Sequence, residues 1–130
     1  MPYTKNGKTY RCPVQAALDV IGGKWKPLIL WYLGDNVVRF GELQKGLPGV
    51  NAKMLTKQLR ELEEDGVIRR TVYPEVPPRV EYTITNFGKT LLPIMEALCN
   101  WGTQYIDIDN NGGSGGSSYQ CPTKAGKNMK

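Results

Sequence analysis

The chain has 130 residues and a mass of 14.5 kDa, a length that supports one compact domain. With 40% hydrophobic and 22% charged residues its composition is that of an ordinary globular protein, and no apolar run reaches the roughly 18 residues that a membrane span needs. The first residues lack the apolar stretch of a secretory signal. We therefore expect a cytoplasmic protein with no membrane partner.

The net charge of +5 is unevenly distributed along the chain. Residues 110–130 contain three lysines and no acid, which leaves 14 basic and 12 acidic residues, a net charge of +2, for residues 1–109. Total charge is therefore weak evidence for a nucleic-acid partner.

Residue types that catalyse reactions or bind metals are scarce in this sequence. It has no histidine, and its three cysteines, Cys12, Cys99 and Cys121, are widely spaced. This excludes ordinary zinc sites and histidine-based mechanisms. There is no glycine-rich phosphate loop, and the only cluster of carboxylates is the solvated run from Glu61 to Asp65. We expect no enzyme, no cofactor and no metal site.

The first half of the chain predicts three helices. Apolar residues recur at helical spacing in residues 13–21, and Pro13 suits a first helical position, so a helix begins at Cys12 or Pro13. Residues 24–34 are apolar almost all round, as a central helix covered by its neighbours would be. After a very short strand at Val37 and Val38, residues 39–47 predict a short amphipathic helix.

Residues 51–66 predict an amphipathic helix with charges graded along its axis. Asn51 is a natural N-cap, Gly66 suits the left-handed position after the last turn, and leucines 55, 59 and 62 share one face. The opposite face is basic and polar over its first half, and the acids fall at the far end.

Residues 67–85 alternate with a period of two and predict a β-hairpin. Val80, Tyr82 and Ile84 share one face, and the three prolines of the segment PEVPP place it at the tip, because proline removes ladder donors. We expect a two-stranded hairpin with a stiff tip.

From Asn86 to Ile108 the pattern is again helical and so apolar that we expect one long helix packed on two sides, against its own core and against a second copy of the chain. Residues 110–130 are Gly/Ser-rich at their start and predict a flexible tail, and the composition leaves open whether that tail is native or engineered. The predicted folded domain is residues 1–109.

Helices followed by a basic helix and a hairpin predict a winged helix-turn-helix, mainly α with a small β-hairpin wing (α+β). A helix fits the major groove of double-stranded DNA, its N-terminal residues reach base edges, and its dipole favours phosphate at that end. Of the wing cations, Arg79 beside the tip is the candidate for a minor-groove or backbone contact. The predicted DNA-binding residues are Asn51, Ala52, Lys53, Thr56, Lys57, Arg60, Arg69, Arg70 and Arg79.

From Cys12 to about Gly102 the chain resembles the HxlR-type family of bacterial transcriptional regulators, winged-helix proteins related to the MarR type. The residues that carry the resemblance are CPVQAALDVIGGKWKPLILWYL, RFGELQKGLPGV, KMLTKQLRELEEDGVI and VPPRVEYTIT with FGKTLLPIMEAL. The resemblance implies a homodimer built from the N- and C-terminal helices and control of transcription at pseudo-palindromic operators. The predicted dimerisation residues are Leu91, Leu92, Met95, Leu98, Trp101 and Tyr105.

Cys12 stands at the predicted N-cap of the first helix with Arg11 adjacent and Lys8 close in sequence, and a helix terminus and nearby cations both favour a thiolate. In some members of the family a sensing cysteine occupies this position, so a redox- or electrophile-responsive thiol is one reading and a structural cap is the other. Cys99 fits a buried, inert apolar side chain. A small-molecule or oxidant inducer remains open.

Two further alternatives bear on binding. The tryptophans 25, 31 and 101 are interpreted as core or dimer contacts and not as a ligand site. A winged helix can also act as a protein-interaction module without sequence-specific DNA binding, but such a face is expected to expose aromatic residues in place of lysine and arginine. The basic helix favours DNA.

Overall fold

The computed structural model describes residues 3–111 of the chain, with six helices and five strands within that range. The helices are α1 Pro13–Ile21, α2 Trp25–Leu33, α3 Phe40–Gly46, α4 Ala52–Glu64, α5 Asn86–Lys89 and α6 Leu92–Asn111. The strands are β1 Tyr3–Lys5, β2 Lys8–Tyr10, β3 Val38–Arg39, β4 Ile68–Tyr73 and β5 Arg79–Ile84. The predicted tail falls almost wholly on residues 112–130, outside the described residues.

The core is built around α2, whose Ile29, Leu30 and Leu33 are fully buried. The other large side chains that are almost completely buried come from neighbouring helices and from the residue before β4. They are Leu43, Leu55, Leu59, Leu62 and Val67. The prediction of an apolar central helix in residues 24–34 is confirmed, although its neighbours leave Leu28 40% exposed.

Helices α3 and α4 form the helix-turn-helix. Leu43 is fully buried and Leu47 nearly so, while the turn at residues 47–51 connects to α4. At the other end of α4, Gly66 adopts a φ of +79°, a left-handed conformation that disfavours any residue with a Cβ. The predicted bounds of α4 are confirmed.

The wing is a three-stranded antiparallel sheet in the order β3-β5-β4. Strands β4 and β5 form the predicted hairpin, with Ile68 opposite Ile84 and Val72 opposite Val80. The predicted short strand is present one residue later than expected, as β3 at Val38–Arg39, and the wing is therefore one strand wider than the hairpin alone. Together these elements confirm a mainly α winged helix-turn-helix with a small β-sheet wing.

The C-terminal helix is not continuous, which corrects the prediction of one helix from Asn86 to Ile108. It is divided into α5 and α6 at Thr90 and Leu91. Pro93 explains the break, because a proline cannot donate to the carbonyl of residue 89 and its ring would clash with that carbonyl. Proline is tolerated in a first turn, where α6 places it. Helix α6 then continues to Asn111, two residues into the predicted tail.

A short hairpin of β1 and β2 precedes α1 and was not predicted. Its turn residues Asn6 and Gly7 both have positive φ, of 51° and 80°. The hydroxyl of Tyr10 donates a 2.7 Å hydrogen bond to Asp19 of α1, and Lys8 lies 3.3 Å from the same carboxylate. These contacts fasten the hairpin to α1.

Between residues 3 and 111, no helix combines the length and apolarity needed to cross a membrane.

Candidate nucleic-acid interface and thiol site

Helix α4 separates its apolar and basic side chains onto opposite faces. Leu55, Leu59 and Leu62 are buried against the core. Four of the side chains predicted to bind DNA are exposed along the other side of the helix: Lys53, Thr56, Lys57 and Arg60. Asn51 and Ala52 are exposed at its start. We call the surface formed by Lys53, Thr56, Lys57 and Arg60 the basic face.

The start of α4 is capped by Asn51, whose Oδ1 accepts a 2.8 Å hydrogen bond from the backbone N–H of Met54. The cap satisfies one of the four free N–H groups of the helix end, and the helix dipole leaves this end partly positive. With Lys53 exposed beside it, the N-terminus of α4 is electrostatically suited to an anionic partner.

Glu61 connects α4 to α2 through an ion pair. Its Oε1 lies 2.7 Å from Nζ of Lys26, and its Oε2 lies 3.6 Å from Nζ of Lys57 one turn earlier in α4. The hydrogen bond from Lys26, with the nearby positive charges, lowers the pKa of the Glu61 carboxyl below its ordinary value despite partial desolvation. The side chain of Lys26 is only 12% exposed, so this contact is an internal brace for the basic face.

A groove of about 490 Å³ separates the second half of α4 from the wing. Thr56, Arg60 and Glu63 line one wall and Arg70 lines the other. Arg60 of α4 and Arg70 of β4 thus line the same groove, an arrangement that the sequence alone did not predict.

Arg69 and Arg70 are neighbours in β4 and therefore point to opposite faces of the sheet. Arg70 shares its face with Tyr82, whereas Arg69 pairs with Thr83 and lines a polar recess with Asp35 and Lys89. Both arginines are exposed, but only Arg70 opens onto the groove beside α4.

Arg79, the wing residue predicted to contact DNA, is engaged by the wing itself. Its guanidinium stacks over the ring of Tyr73 at 4.0 Å, and its Nη2 lies 3.2 Å from Oε2 of Glu75. Glu81 is a second ion-pair partner at 3.7 Å from Nε. The side chain is 30% exposed. Arg79 is therefore less available to contact DNA than Arg69 and Arg70 on β4.

Arg39 is an exposed cation that the sequence prediction omitted. It precedes α3, pairs with Glu81 in the sheet, and lines a groove with the wing-tip residues Glu75, Val76 and Pro77. Its backbone N–H donates to Glu42 at the start of α3. The sequence placed this cation in the predicted helix of residues 39–47, whereas the structure places it in β3, and its position beside the wing depends on the pairing of β3 with β5.

Cys12 is the N-cap of α1, as predicted. Its Sγ accepts a 3.4 Å hydrogen bond from the backbone N–H of Val14, and the residue is exposed and carries a free thiol. The helix cap on which the prediction of a reactive thiol depends is therefore present. Of the two cations expected beside Cys12, however, Lys8 forms an ion pair with Asp19, while the Arg11 side chain is exposed.

The other cysteines differ from the prediction or lie beyond it. Cys99, predicted to be a buried inert side chain, is half-buried and disulfide-bonded. It lies on α6, where the neighbouring residues Leu98 and Asn100 are exposed and the Cys99 side chain is only partly buried. Cys121 lies outside the described residues.

The six predicted dimerisation residues fall into two groups. Leu91, Leu92 and Met95 pack against the chain's own core, with Met95 only 6% exposed. Leu98, Trp101 and Tyr105 are more than half exposed, and the rings of Trp101 and Tyr105 stack with centroids 5.4 Å apart.

Exposed apolar side chains also occur on α1, where Val14 and Leu18 are 61% and 57% exposed. Trp25 and Trp31 are partly buried and pack against the core, and they also line an apolar cleft of about 580 Å³ with Leu98. The exposed apolar surface of α6 is therefore continuous with this cleft, because Leu98 belongs to both.

Comparisons with known proteins agree with this architecture. A profile of the HxlR-like helix-turn-helix family matches residues 20–110. An HTH-type transcriptional regulator of Methanothermobacter thermautotrophicus is 51% identical over 104 residues, which is 80% of this chain and 79% of that protein. The HTH-type transcriptional regulator YdeP of Bacillus subtilis is 53% identical over 96 residues, 74% of this chain and 75% of that protein.

Among solved structures, the redox regulator HypR is similar in both of its forms. The reduced form has a TM-score of 0.72 and 47% identity, covering 75% of this chain and 96% of that one. The oxidised form has a TM-score of 0.67 and 50% identity, covering 70% of this chain and 94% of that one. The chain therefore belongs to the HxlR-like helix-turn-helix family and is a transcriptional regulator of the helix-turn-helix type.

Proposed function

We propose that this protein is a homodimeric regulator that binds a pseudo-palindromic DNA operator sequence-specifically and whose binding responds to modification of Cys12. The observation that carries the proposal is the basic face of α4, exposed along the helix that follows the turn of the helix-turn-helix. In this motif the second helix enters the major groove and its N-terminal residues contact base edges.

The charge distribution of α4 supports this orientation. Lys53 and Lys57 lie in its first half, where the helix dipole also favours phosphate, and Glu63 and Glu64 lie in its last turn. A duplex seated at the N-terminal half meets cations, and the acidic turn stays away from the phosphates. Arg60 can bond guanine with both of its terminal nitrogens, so it is the strongest candidate for reading a base.

The wing supplies a second cationic contact through Arg70. It faces the groove that Arg60 also lines, so a DNA backbone lying beside α4 passes within reach of both. Phosphate contacts of this kind fix orientation and carry no sequence information.

Dimerisation is supported by the exposed apolar residues of α6 and α1. Leu98, Trp101 and Tyr105 on α6, with Val14 and Leu18 on α1, expose large apolar side chains that a monomer would leave in water. A two-fold axis beside these helices gives an isologous interface, and it matches the symmetry of a palindromic operator.

The thiol response is supported by the position of Cys12 and by the similarity to HypR. Cys12 is exposed and its sulfur caps the first turn of α1, so an adduct would remove that cap. Helix α1 also carries the exposed Val14 and Leu18 of the proposed dimer surface. A change at the start of α1 would therefore alter the relative placement of the two α4 helices.

The proposal is tested with a duplex recovered from a random pool by the wild-type protein. Arg60→Ala should weaken binding to that duplex by about 1 to 3 kcal/mol if Arg60 reads a base. Lys5→Ala removes one positive charge from the exposed β1 strand and is the charge-matched control, which should bind nearly as the wild type does. Equal affinities of the two variants would place the DNA interface elsewhere.

A further inference from the structure

The guanidinium of Arg79 is held by three residues of the wing. It lies over the ring of Tyr73, its partner across the β4–β5 ladder. One carboxylate, that of Glu75, belongs to the tip, and the other, that of Glu81, follows two residues later on β5. Arg79 thus connects the last residue of β4, the tip and β5.

These contacts compensate the charge of Arg79. Two carboxylates within ion-pair distance leave the trio of Glu75, Arg79 and Glu81 with a net charge of −1. To bind a phosphate, Arg79 would have to leave the Tyr73 ring and the Glu75 carboxylate, and both acids would then be left near the DNA backbone. Like charge at that distance opposes binding.

The contacts also occur where the wing most needs support. The sheet ladder ends at the Tyr73–Arg79 pair, and the five residues between them form no strand. Val76 at the centre of this tip is fully exposed, so the tip has few packing contacts of its own. A planar guanidinium that stacks on a ring and pairs with a tip carboxylate restrains the tip from its base.

We propose that Arg79 is a positioning residue that fixes the wing tip, and that the cationic contact of the wing with duplex DNA is made by Arg70. This inference rests on the proposed DNA binding. It reassigns Arg79 from a DNA contact, as the sequence suggested, to a support for the tip that presents the wing to the duplex.

Arg79→Lys separates the two roles, because lysine keeps the charge that a phosphate contact needs but loses the planar stack and the forked geometry. Arg79→Lys and Arg79→Ala should weaken binding to the recovered duplex alike, by about threefold to tenfold, as expected when an ordered binding element becomes mobile. Neither should change the slope of log affinity against log salt.

Arg70→Ala is the matched control, since it removes one exposed wing cation from the same sheet. It should lower that slope by about one unit, the effect of one lost phosphate contact. A slope lowered by about one unit in Arg79→Ala, with wild-type affinity in Arg79→Lys, would overturn the proposal. An unchanged slope in Arg70→Ala would overturn its second half.

A measurement without DNA keeps this test separate from the proposed function. In ¹⁵N-labelled protein the heteronuclear NOE of the Glu75 and Val76 amides should fall in Arg79→Lys and Arg79→Ala, and stay at the wild-type value in Arg70→Ala. If the wild type binds no duplex, the proposed function fails, and the NOE still decides the positioning role. Unchanged NOE values in both Arg79 variants would reject it.

Discussion

Cys12 is both the N-cap of α1 and an exposed thiol. Its sulfur accepts a hydrogen bond from the first turn of α1 while remaining exposed. We expect diamide with glutathione to convert Cys12 to a mixed disulfide and lower DNA affinity, because the bulky adduct cannot cap the helix. The measurement is operator affinity before and after treatment, in a chain that ends at Asn111.

The matched controls are Cys12→Ser and Cys99→Ser in that shortened chain, because removal of Cys121 leaves Cys99 as a second thiol that diamide can modify. Serine is a good N-cap, so Cys12→Ser should bind DNA and lose only the response to diamide. Cys99→Ser should keep the response. A full response in Cys12→Ser would leave Cys12 as a structural cap.

The ion pair of Lys26 with Glu61 makes stability depend on pH. The folded-state pKa of Glu61 is lowered from its ordinary value of 4.5, chiefly by the hydrogen bond from Lys26. The pair therefore stabilises the fold above that value, and its contribution is lost as pH falls through the folded-state pKa. Because Glu61 is more than a third exposed, we expect about 1 kcal/mol or less.

Lys26→Met measures this contribution in denaturant unfolding. The wild type should be more stable than the variant at pH 7, and the difference should shrink as the pH falls from about 5 to 3. A difference that is constant over this range would mean that the pair does not influence folding stability.

Single residues were predictable where the signal is local. Asn51 and Cys12 precede apolar helical patterns, and caps are recognised from such neighbours. The environment of Arg79 was not predictable, because it depends on which β4 residue stands opposite it. That register is fixed only when the tip closes and Tyr73 pairs with Arg79.

Helix α4 has one buried face and one exposed face, and substitutions on the two should affect stability differently. Leu59 is 2% exposed, and Leu59→Ala should lower the free energy of unfolding by about 2 to 5 kcal/mol through lost burial and a cavity. Arg60, the next residue, is exposed, and Arg60→Ala should change stability by less than about 0.5 kcal/mol. Denaturant unfolding measures both, and equal losses would contradict the assignment of faces.

The elements that the sequence predicted well have strong periodicity, and those that it missed do not. Helices α2 and α4 bury apolar residues at regular spacing. Helix α1 has an equally regular apolar pattern, although Ile21 is its only buried residue. The β1–β2 hairpin is exposed almost throughout and has no apolar alternation, so its only signal was the Asn6-Gly7 turn. The division of α5 from α6 was marked by Pro93 alone, in a segment whose apolar pattern continues through it.

The proposed binding to a pseudo-palindromic operator requires two copies of the chain. Trp101→Ser with Tyr105→Ser removes a stacked aromatic pair from the proposed interface and should produce monomers. Phe87→Ser, which removes a ring that is 68% exposed on α5, is the control and should remain dimeric. Sedimentation equilibrium at micromolar concentration distinguishes the two masses, and a wild-type mass near 14.5 kDa would exclude the dimer.

The domain fold could be predicted from the sequence because α2, α4 and the β4–β5 hairpin were locally specified and the order of the elements is that of a winged helix. The sequence predicted the proposed dimer surface less well. An apolar pattern cannot tell a helix face that packs on its own core, as at Met95, from one that faces outward, as at Trp101. The difference depends on the angle at which α6 crosses α2, which only the folded chain defines.

Selection of binding sites from random duplex DNA measures whether the protein recognises a two-fold symmetric sequence through α4. A homodimer that places two α4 helices about 34 Å apart should enrich inverted half-sites with centres separated by about one helical turn or a multiple of it. The enrichment should disappear when Lys53, Lys57 and Arg60 are all replaced by alanine. Failure of the wild type to enrich any sequence, or enrichment of the same sequence by the triple variant, would contradict the account.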